Sequence, residues 1–184
     1  MRAFVALEVA EPKVIDALVA AQGQLSRTGA DLKLVERENL HFTIRFLGEI
    51  SKEAAADVDS RLRRLSLKGG EVEVKGMGAF PSEARPRVVW SGVSAKDEAT
   101  VLEVADSVAK ALEGVGQPEE KPFHPHITLA RVRSPRNSQA LTSELRSGGS
   151  RSFGSTNLSA FKLKSSTLTP KGPVYSDVGE YGLS

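Results

Sequence analysis

Two short segments of the chain repeat the same arrangement of chemical groups. Residues 40–44 read LHFTI and residues 125–129 read PHITL, so each holds a histidine two positions before a threonine within an apolar run. Successive side chains of a β-strand point to opposite faces, so each imidazole and its threonine hydroxyl are expected side by side on one face. The four candidate site residues are His41, Thr43, His126 and Thr128.

The two histidines are suited to proton transfer near neutral pH. An unperturbed imidazole has a pKa of about 6.5, and two imidazoles that face one substrate can accept one proton and donate another. The chain has three histidines, and two of them occupy matching positions. This pairing indicates a displacement at phosphorus, in which water loses a proton and the leaving oxygen gains one. A structural histidine is the alternative for either motif taken alone.

The threonines and the neighbouring residues have their own interpretations. Each threonine hydroxyl could donate a hydrogen bond to a nonbridging phosphate oxygen, whose charge grows in the transition state; high strand propensity is the alternative. Two aromatic residues, Trp90 and Tyr175, could stack on a nucleobase or pack in the core. The apolar residues that alternate with the motif positions are predicted to pack behind them: Phe42, Ile44, Ile127 and Leu129.

Composition restricts the class of protein. A chain of 184 residues with 40% hydrophobic residues can bury the core of one compact domain or of two small lobes. Its apolar runs are much shorter than the roughly 20 residues of a membrane helix, and its first residues do not form a secretory signal. We therefore expect a cytoplasmic protein with no membrane partner. The absence of cysteine excludes disulfides, thiolate zinc sites and a cysteine nucleophile.

The net charge of +2 hides an uneven distribution. Between residues 121 and 172 there are nine Lys or Arg residues and one acidic residue, Glu144. Such a basic portion suits a polyanion, although a solubilising surface is the alternative. Arg131, Arg133 and Arg136 follow the second motif, and Arg131 is a candidate phosphate ligand or else a solvated strand end.

The periodicity of apolar residues predicts strands and helices in alternation. Both motifs fall on predicted strands, and the prolines between residues 114 and 125 predict an irregular connection into the second one. Predicted helices span residues 11–25, the segment from the N-cap Ser51 to Gly69, the segment from Ser94 to Leu112, and residues 139–145. Predicted strands span 2–9, 32–35, 41–47, 71–75, 87–93, 126–132, 153–163 and 166–178, with residues 76–85 as a connection and a junction at Ser165 and Ser166.

At this point the sequence resembles a known family, the 2H phosphoesterases, and within it the RNA 2′,3′-cyclic phosphodiesterases, also called 2′-5′ RNA ligases. The resemblance covers nearly the whole chain. It is carried by residues 2–6 (RAFVA), 38–48 (ENLHFTIRFLG), 126–131 (HITLAR) and 165–175 (SSTLTPKGPVY). It implies an α+β fold with two lobes related by a pseudo-two-fold axis, each an antiparallel sheet with outer helices, around a central groove. The whole chain, 1–184, would then be one domain of two interleaved lobes.

The resemblance also implies an activity. It implies hydrolysis of RNA 2′,3′-cyclic phosphate ends to 2′-phosphates without a metal or other cofactor, with His126 as the base that activates water and His41 as the acid at the 3′ oxygen. Thr43, Thr128 and Arg131 would bind the phosphate. The reverse reaction, 2′-5′ ligation, is chemically related, but hydrolysis should dominate in water. The substrate could be an RNA end, a tRNA fragment or a small cyclic nucleotide, and a monomer is expected.

Two other interpretations remain open from the residues themselves. His124 and His126 together with His41 could form a zinc or manganese site, although no Asp or Glu accompanies the motifs at metal-ligand spacing. A noncatalytic RNA-binding module is the other alternative, because a basic stacking groove needs no proton transfer. A chelator separates the first from the two-histidine mechanism, and a histidine-to-alanine variant separates the second.

Overall fold

The computed structural model describes all 184 residues, which form four α-helices and nine β-strands. A short 3-10 turn, Arg37–Asn39, directly precedes the strand that carries the first motif. The helices are α1 (Pro12–Arg27), α2 (Lys52–Arg63), α3 (Glu98–Ala111) and α4 (Ser138–Ser147). The strands are β1 (Arg2–Glu8), β2 (Leu32–Leu34), β3 (His41–Glu49), β4 (Gly70–Pro81), β5 (Pro86–Val93), β6 (Ile127–Val132), β7 (Ser152–Leu158), β8 (Ala160–Thr169) and β9 (Gly172–Gly182).

All neighbouring strands are antiparallel, and eight of them follow one another in the order β7-β4-β5-β6-β3-β1-β8-β9, while β2 pairs with β6. The path divides into two four-stranded halves that meet where β6 lies beside β3. In the observed register, Phe42 of β3 lies opposite Ile127 of β6. The two motif strands therefore occupy equivalent places, each at the inner edge of its own half. The two-lobe α+β fold expected from the sequence is confirmed.

The helices cover the face of the sheet opposite the motif side chains. Helix α1 packs on β6 and β7 and α4 packs on β4, whereas α2 packs on β9 and α3 on β3 and β4. Between helices and sheet lies one cluster of 37 buried apolar residues. The four residues predicted to pack behind the motifs belong to it: Phe42, Ile44, Ile127 and Leu129. Burial of this set fixes which face of each motif strand remains available to a substrate.

Local signals explain where two of the helices begin. The side chain of Ser51 accepts a hydrogen bond from the backbone N–H of Ala54 at 3.0 Å, so the predicted N-cap of α2 is confirmed. The prediction for α3 was wrong, because the helix begins at Glu98. The hydroxyl of Ser94 instead donates to the carboxylate of Asp97 at 2.9 Å, and the same carboxylate accepts the N–H of Glu73. Ser94 and Asp97 therefore close a turn that is hydrogen-bonded to Glu73 of β4, and the helix starts after this turn.

The predicted division of the C-terminal region was also wrong. Ser165 and Ser166 lie inside β8, opposite Ala3 and Arg2 of β1, and the region contains three strands instead of two. Because β8 has a partner on each side, sheet hydrogen bonding outweighs the weak strand propensity of serine. The interruption between strands lies at Ser159, which separates β7 from β8.

Residues 76–85, predicted as a connection, are largely strand. Strand β4 continues to Pro81 and pairs with β5 over most of that length. Gly76 has a φ of +83°, and the pairing shifts register between Lys75 and Met77. Glycine allows this left-handed backbone, so the strand passes through a bulge instead of ending. None of the four helices has both the length and the apolar composition needed to cross a bilayer.

Candidate active site

The four motif residues share one face of the sheet at the junction of its two halves. His41 and Thr43 are on β3, Thr128 is on β6, and His126 directly precedes β6. Because Phe42 lies opposite Ile127, extending the register by one residue each way places His41 across from Thr128 and Thr43 across from His126. Phe42 and Ile127 are fully buried on the other face. The four motif side chains are half-buried and form a symmetric cluster of two imidazoles and two hydroxyls.

The imidazole of His41 lies between two aromatic rings. It stacks on Phe4 with ring centroids 5.3 Å apart, and Tyr175 approaches it edge-on at 5.7 Å. Its Nε2 is 3.0 Å from Oγ1 of Thr43. Burial, aided by the positive charge of Lys164 and opposed by Glu8, lowers the pKa of His41 to about 4. In the free protein this imidazole is therefore neutral at physiological pH.

The imidazole of His126 is oriented by a backbone hydrogen bond. Its Nδ1 lies 2.6 Å from the carbonyl oxygen of His124, and only a protonated ring nitrogen can donate to that oxygen. In neutral His126 the lone pair is therefore on Nε2, which is the arrangement that a general base requires. Burial lowers the pKa of His126, and the bond to the carbonyl of His124 opposes the shift.

The third histidine does not join the other two in a metal site. His124 is exposed, and its ring lies 5.0 Å from that of Trp90 and 6.3 Å from that of His126, measured between centroids. No group of three His, Cys, Asp or Glu side chains is placed to hold an ion. His124 instead contributes to the site through its backbone carbonyl.

The two aromatic candidates line opposite ends of the site. Trp90 lies across from Thr128 in the pairing of β5 with β6, and its ring is 5.2 Å from that of Phe80. Tyr175 packs against Phe4 at 5.0 Å. Both are half-buried, so each side of the cluster has an aromatic wall that is partly accessible to solvent.

Four charged side chains form a network beside His41 that the sequence analysis did not identify. Lys162 and Lys164 of β8 each lie within 3.0 Å of Glu8 of β1 and within 2.9 Å of Asp177 of β9. Burial raises the pKa of Glu8, but hydrogen bonds from Lys164 and Lys162 outweigh it and the net pKa is lowered. The same lysines lower the pKa of Asp177. The formal charges cancel. The four residues come from three strands, so the sequence carried no local signal for this network.

The arginines that follow the second motif are free of ion pairs. Arg131, Arg133 and Arg136 are exposed, and the one side-chain hydrogen bond among them joins Nε of Arg136 to the carbonyl oxygen of Gly29 at 3.0 Å. The positive charge of Arg131 contributes to the lowered pKa of His126. Arg131 therefore lies where its field reaches the site while its guanidinium remains available.

A depression of about 350 Å³ opens directly beside His41. Its walls include Glu8, Val9, Pro12, Ile15, Glu38 and Leu40. A larger depression of about 420 Å³ lies against α3, lined by Ala105, Glu119 and Phe123 among others, and contains none of the four motif residues. The smaller depression therefore adjoins the site, with His41 in its wall. Sequence reasoning missed it because its walls come from β1, α1 and the turn before β3.

Comparison with known families agrees with this geometry. The family model described as LigT like Phosphoesterase matches residues 9–90 and again residues 93–175. A protein of Aeropyrum pernix named RNA 2′,3′-cyclic phosphodiesterase is 39% identical over 168 residues, which are 91% of this chain and 95% of the relative. One of the same name from Archaeoglobus fulgidus is 38% identical over 178 residues, 97% of this chain and 98% of the relative.

Solved structures show the same architecture. The crystal structure of TT0787 from Thermus thermophilus matches with a TM-score of 0.78 and 33% identity over 100% of this chain and 98% of that chain. The structure of E. coli LigT complexed with 3′-AMP also has a TM-score of 0.78, with 22% identity and the same coverage. The second match bears on the fold alone.

Proposed function

The chain belongs to the LigT-like phosphoesterase family, and we propose that it hydrolyses the 2′,3′-cyclic phosphate ends of RNA to 2′-phosphates. The observation that carries this proposal is the opposition of Phe42 and Ile127. That register brings two imidazoles and two hydroxyls from distant parts of the sequence to one face of the sheet. The relatives named RNA 2′,3′-cyclic phosphodiesterase support the same reaction.

In the proposed reaction, His126 is the base. Its Nδ1 hydrogen is held by the carbonyl of His124, so Nε2 can take a proton from water as the water oxygen bonds to phosphorus. The bond from phosphorus to the 3′ oxygen breaks on the opposite side. His41 donates a proton to that oxygen, which leaves a 3′ hydroxyl and a 2′-phosphate.

His41 must gain a proton before it can act as the acid. In the free protein its pKa of about 4 keeps it neutral at pH 7. A bound cyclic phosphate carries a negative charge, and an opposite charge within a few ångströms favours the protonated imidazole. Substrate binding therefore raises the pKa of His41 and prepares the acid only when a phosphate is present.

The threonines and Arg131 bind the phosphate in this proposal. The hydroxyls of Thr43 and Thr128 donate hydrogen bonds to the nonbridging oxygens, whose negative charge increases as water attacks. Thr43 lies 3.0 Å from Nε2 of His41 in the free protein, so its hydroxyl turns from the imidazole to the phosphate on binding. The exposed guanidinium of Arg131 binds a phosphate of the RNA strand.

The substrate class is RNA with a 2′,3′-cyclic phosphate end, tRNA fragments included, and the protein acts as a monomer. No step above requires a metal. Ligation would require a 5′ hydroxyl to replace water as the nucleophile, and hydrolysis dominates unless a second strand is held very close.

One experiment tests the proposal directly. The purified protein is incubated with cyclic-phosphate-ended RNA in EDTA, and the product end is identified by ³¹P NMR. Conversion to a 2′-phosphate is expected. Substrate left unchanged both with and without EDTA would refute the function, activity seen only without EDTA would refute the metal-free mechanism, and a 3′-phosphate would reverse the roles of His41 and His126.

A further inference from the structure

We infer that the depression beside His41 is a nucleobase subsite that prefers guanine through the carboxylate of Glu38. This inference rests on the proposed function and adds the specificity that the function leaves open. It is supported by the position of the depression, by its walls and by the hydrogen-bonding capacity that its polar groups leave unused.

The position follows from the direction of the reaction. The oxygen that leaves phosphorus belongs to the ribose, and His41 protonates it, so the ribose lies on the His41 side of the phosphate. The depression has His41 in its wall, together with Glu8 at the end of β1 and Pro12 at the start of α1. The rings of Phe80 and Trp90 lie around His126, where water approaches. A base attached to the reacting ribose therefore lies on the side of the site that borders the depression.

The size and walls suit a planar base. A volume of about 350 Å³ is near the lower end of the roughly 300–1,000 Å³ that small-molecule sites occupy. Val9, Pro12, Ile15 and Leu40 supply apolar surface, on which the face of a base can pack without losing hydrogen bonds. The depression is therefore large enough for one base and apolar enough to bind it.

Only one polar group in the depression has its full hydrogen-bonding capacity free. Each carboxylate oxygen of Glu8 already accepts from a lysine, at 2.9 and 3.0 Å. The guanidinium of Arg37 gives one of its N–H groups to Asp16 at 2.6 Å. Glu38 is exposed and has no hydrogen bond or ion pair to its side chain in the structure. Its two oxygens can therefore accept two hydrogen bonds from a ligand.

The chemistry of a carboxylate selects among the bases. An ionised carboxylate only accepts hydrogen bonds, and its two oxygens match two neighbouring N–H donors. On its pairing edge, guanine has two such donors, N1–H and the 2-amino group, whereas uracil offers N3–H alone between two carbonyl oxygens. Those oxygens can only accept, so they gain no hydrogen bond from the carboxylate. Guanine is therefore favoured and uracil is disfavoured.

The test compares guanosine and uridine 2′,3′-cyclic phosphates as substrates. The ratio of their kcat/KM values is measured for the wild type, for Glu38→Gln and for the matched control Glu36→Gln, which removes an exposed carboxylate from the same turn outside the depression. We expect the wild type to prefer guanosine by at least about fivefold, the range of one paired base contact. Glu38→Gln should lose most of that preference, and Glu36→Gln should keep it.

Two further variants locate the base independently. Ile15→Trp narrows the depression and should raise KM for both nucleotides while leaving inhibition by inorganic phosphate unchanged, because phosphate alone does not use the depression. Trp90→Ala should leave the guanosine preference intact. The proposed subsite would be refuted if Trp90→Ala removed the guanosine preference. It would also be refuted if Glu38→Gln left that preference at its wild-type value. If the wild type hydrolyses neither nucleotide nor cyclic-ended RNA, the proposed function itself has failed.

Discussion

Phe42 of β3 lies directly opposite Ile127 of β6, and this pair joins the two halves of the sheet. Both side chains are fully buried in a core shared by both halves. We expect Phe42→Ala to lower the free energy of unfolding by about 3–5 kcal/mol, because it leaves a cavity at the junction. Phe46→Ala, on the same strand but 38% exposed, should cost about 1 kcal/mol or less. Urea unfolding followed by circular dichroism measures both, and a single transition is expected for the wild type.

The two motif histidines should be required for turnover but not for RNA binding. His41→Ala and His126→Ala each remove one proton-transfer group, so kcat should fall by about 10²–10⁴-fold while affinity for RNA is largely retained. His124→Ala is the matched control, because the hydrogen bond that orients His126 comes from the backbone carbonyl of His124 and is retained in the variant. Steady-state kinetics and fluorescence anisotropy make the comparison. Full activity in either motif variant would favour a noncatalytic binding module.

The pH dependence of kcat/KM should have its maximum on the acid side of pH 6.5. The productive free enzyme has His41 protonated and His126 neutral, and burial lowers both pKa values, that of His41 to about 4. At pH values above the maximum His41 loses the proton that it must donate, and at pH values below the maximum His126 gains a proton and can no longer act as the base. Because bound phosphate raises the pKa of His41, the profile of kcat should lie at higher pH than that of kcat/KM. Coincident profiles would contradict this coupling.

His41 should make the fold sensitive to acid. Its pKa is lowered from 6.5 to about 4 in the folded state, so as pH falls through this window the unfolded chain binds a proton that the folded chain excludes. This contribution to the free energy of unfolding is fully present above pH 6.5 and decreases as the pH falls, by about 2 kcal/mol between pH 7 and pH 5. His41→Gln should remove this part of the decrease in the free energy of unfolding, whereas His124→Gln should leave it unchanged. Urea unfolding at the two pH values provides the measurement.

The threonine hydroxyls should matter more than the threonine shape. Thr128→Val keeps a β-branched side chain in the strand but removes a donor to the phosphate, so kcat should fall by roughly 10²-fold. Thr128→Ser retains the hydroxyl and should keep most of the activity. Comparison of the three proteins by kcat separates hydrogen bonding from packing, and equal losses in both variants would argue for packing.

The parts of the fold predicted from sequence are those that local pattern determines. Alternation of apolar residues predicted a strand for each motif, and the structure has the first motif in β3 and begins β6 one residue after His126. It also identified Phe42 and Ile127 as core residues, as observed. The predictions failed where pairing with a distant strand decides the outcome. Ser165 and Ser166 are strand residues because β1 lies beside them, and Gly76 permits a bulge that keeps β4 continuous.

The candidate site likewise has residues that local sequence pattern predicts and residues that it does not. The histidines and threonines were predictable because each pair is adjacent in one strand. The network of Lys162, Lys164, Glu8 and Asp177 was not, because it joins three strands that are distant in sequence. The depression beside His41 was also missed, since α1 and β1 supply much of its wall. Neighbours that meet only in the folded chain left no pattern to detect.

The cancelled charges beside His41 have a consequence for turnover. The cyclic diester carries one negative charge, whereas the monoester that replaces it carries about two near neutral pH. A site with an unpaired lysine at this point would hold the more charged monoester more strongly than the diester. Because Lys162 and Lys164 are already neutralised by Glu8 and Asp177, this network adds no net attraction that favours the monoester over the diester.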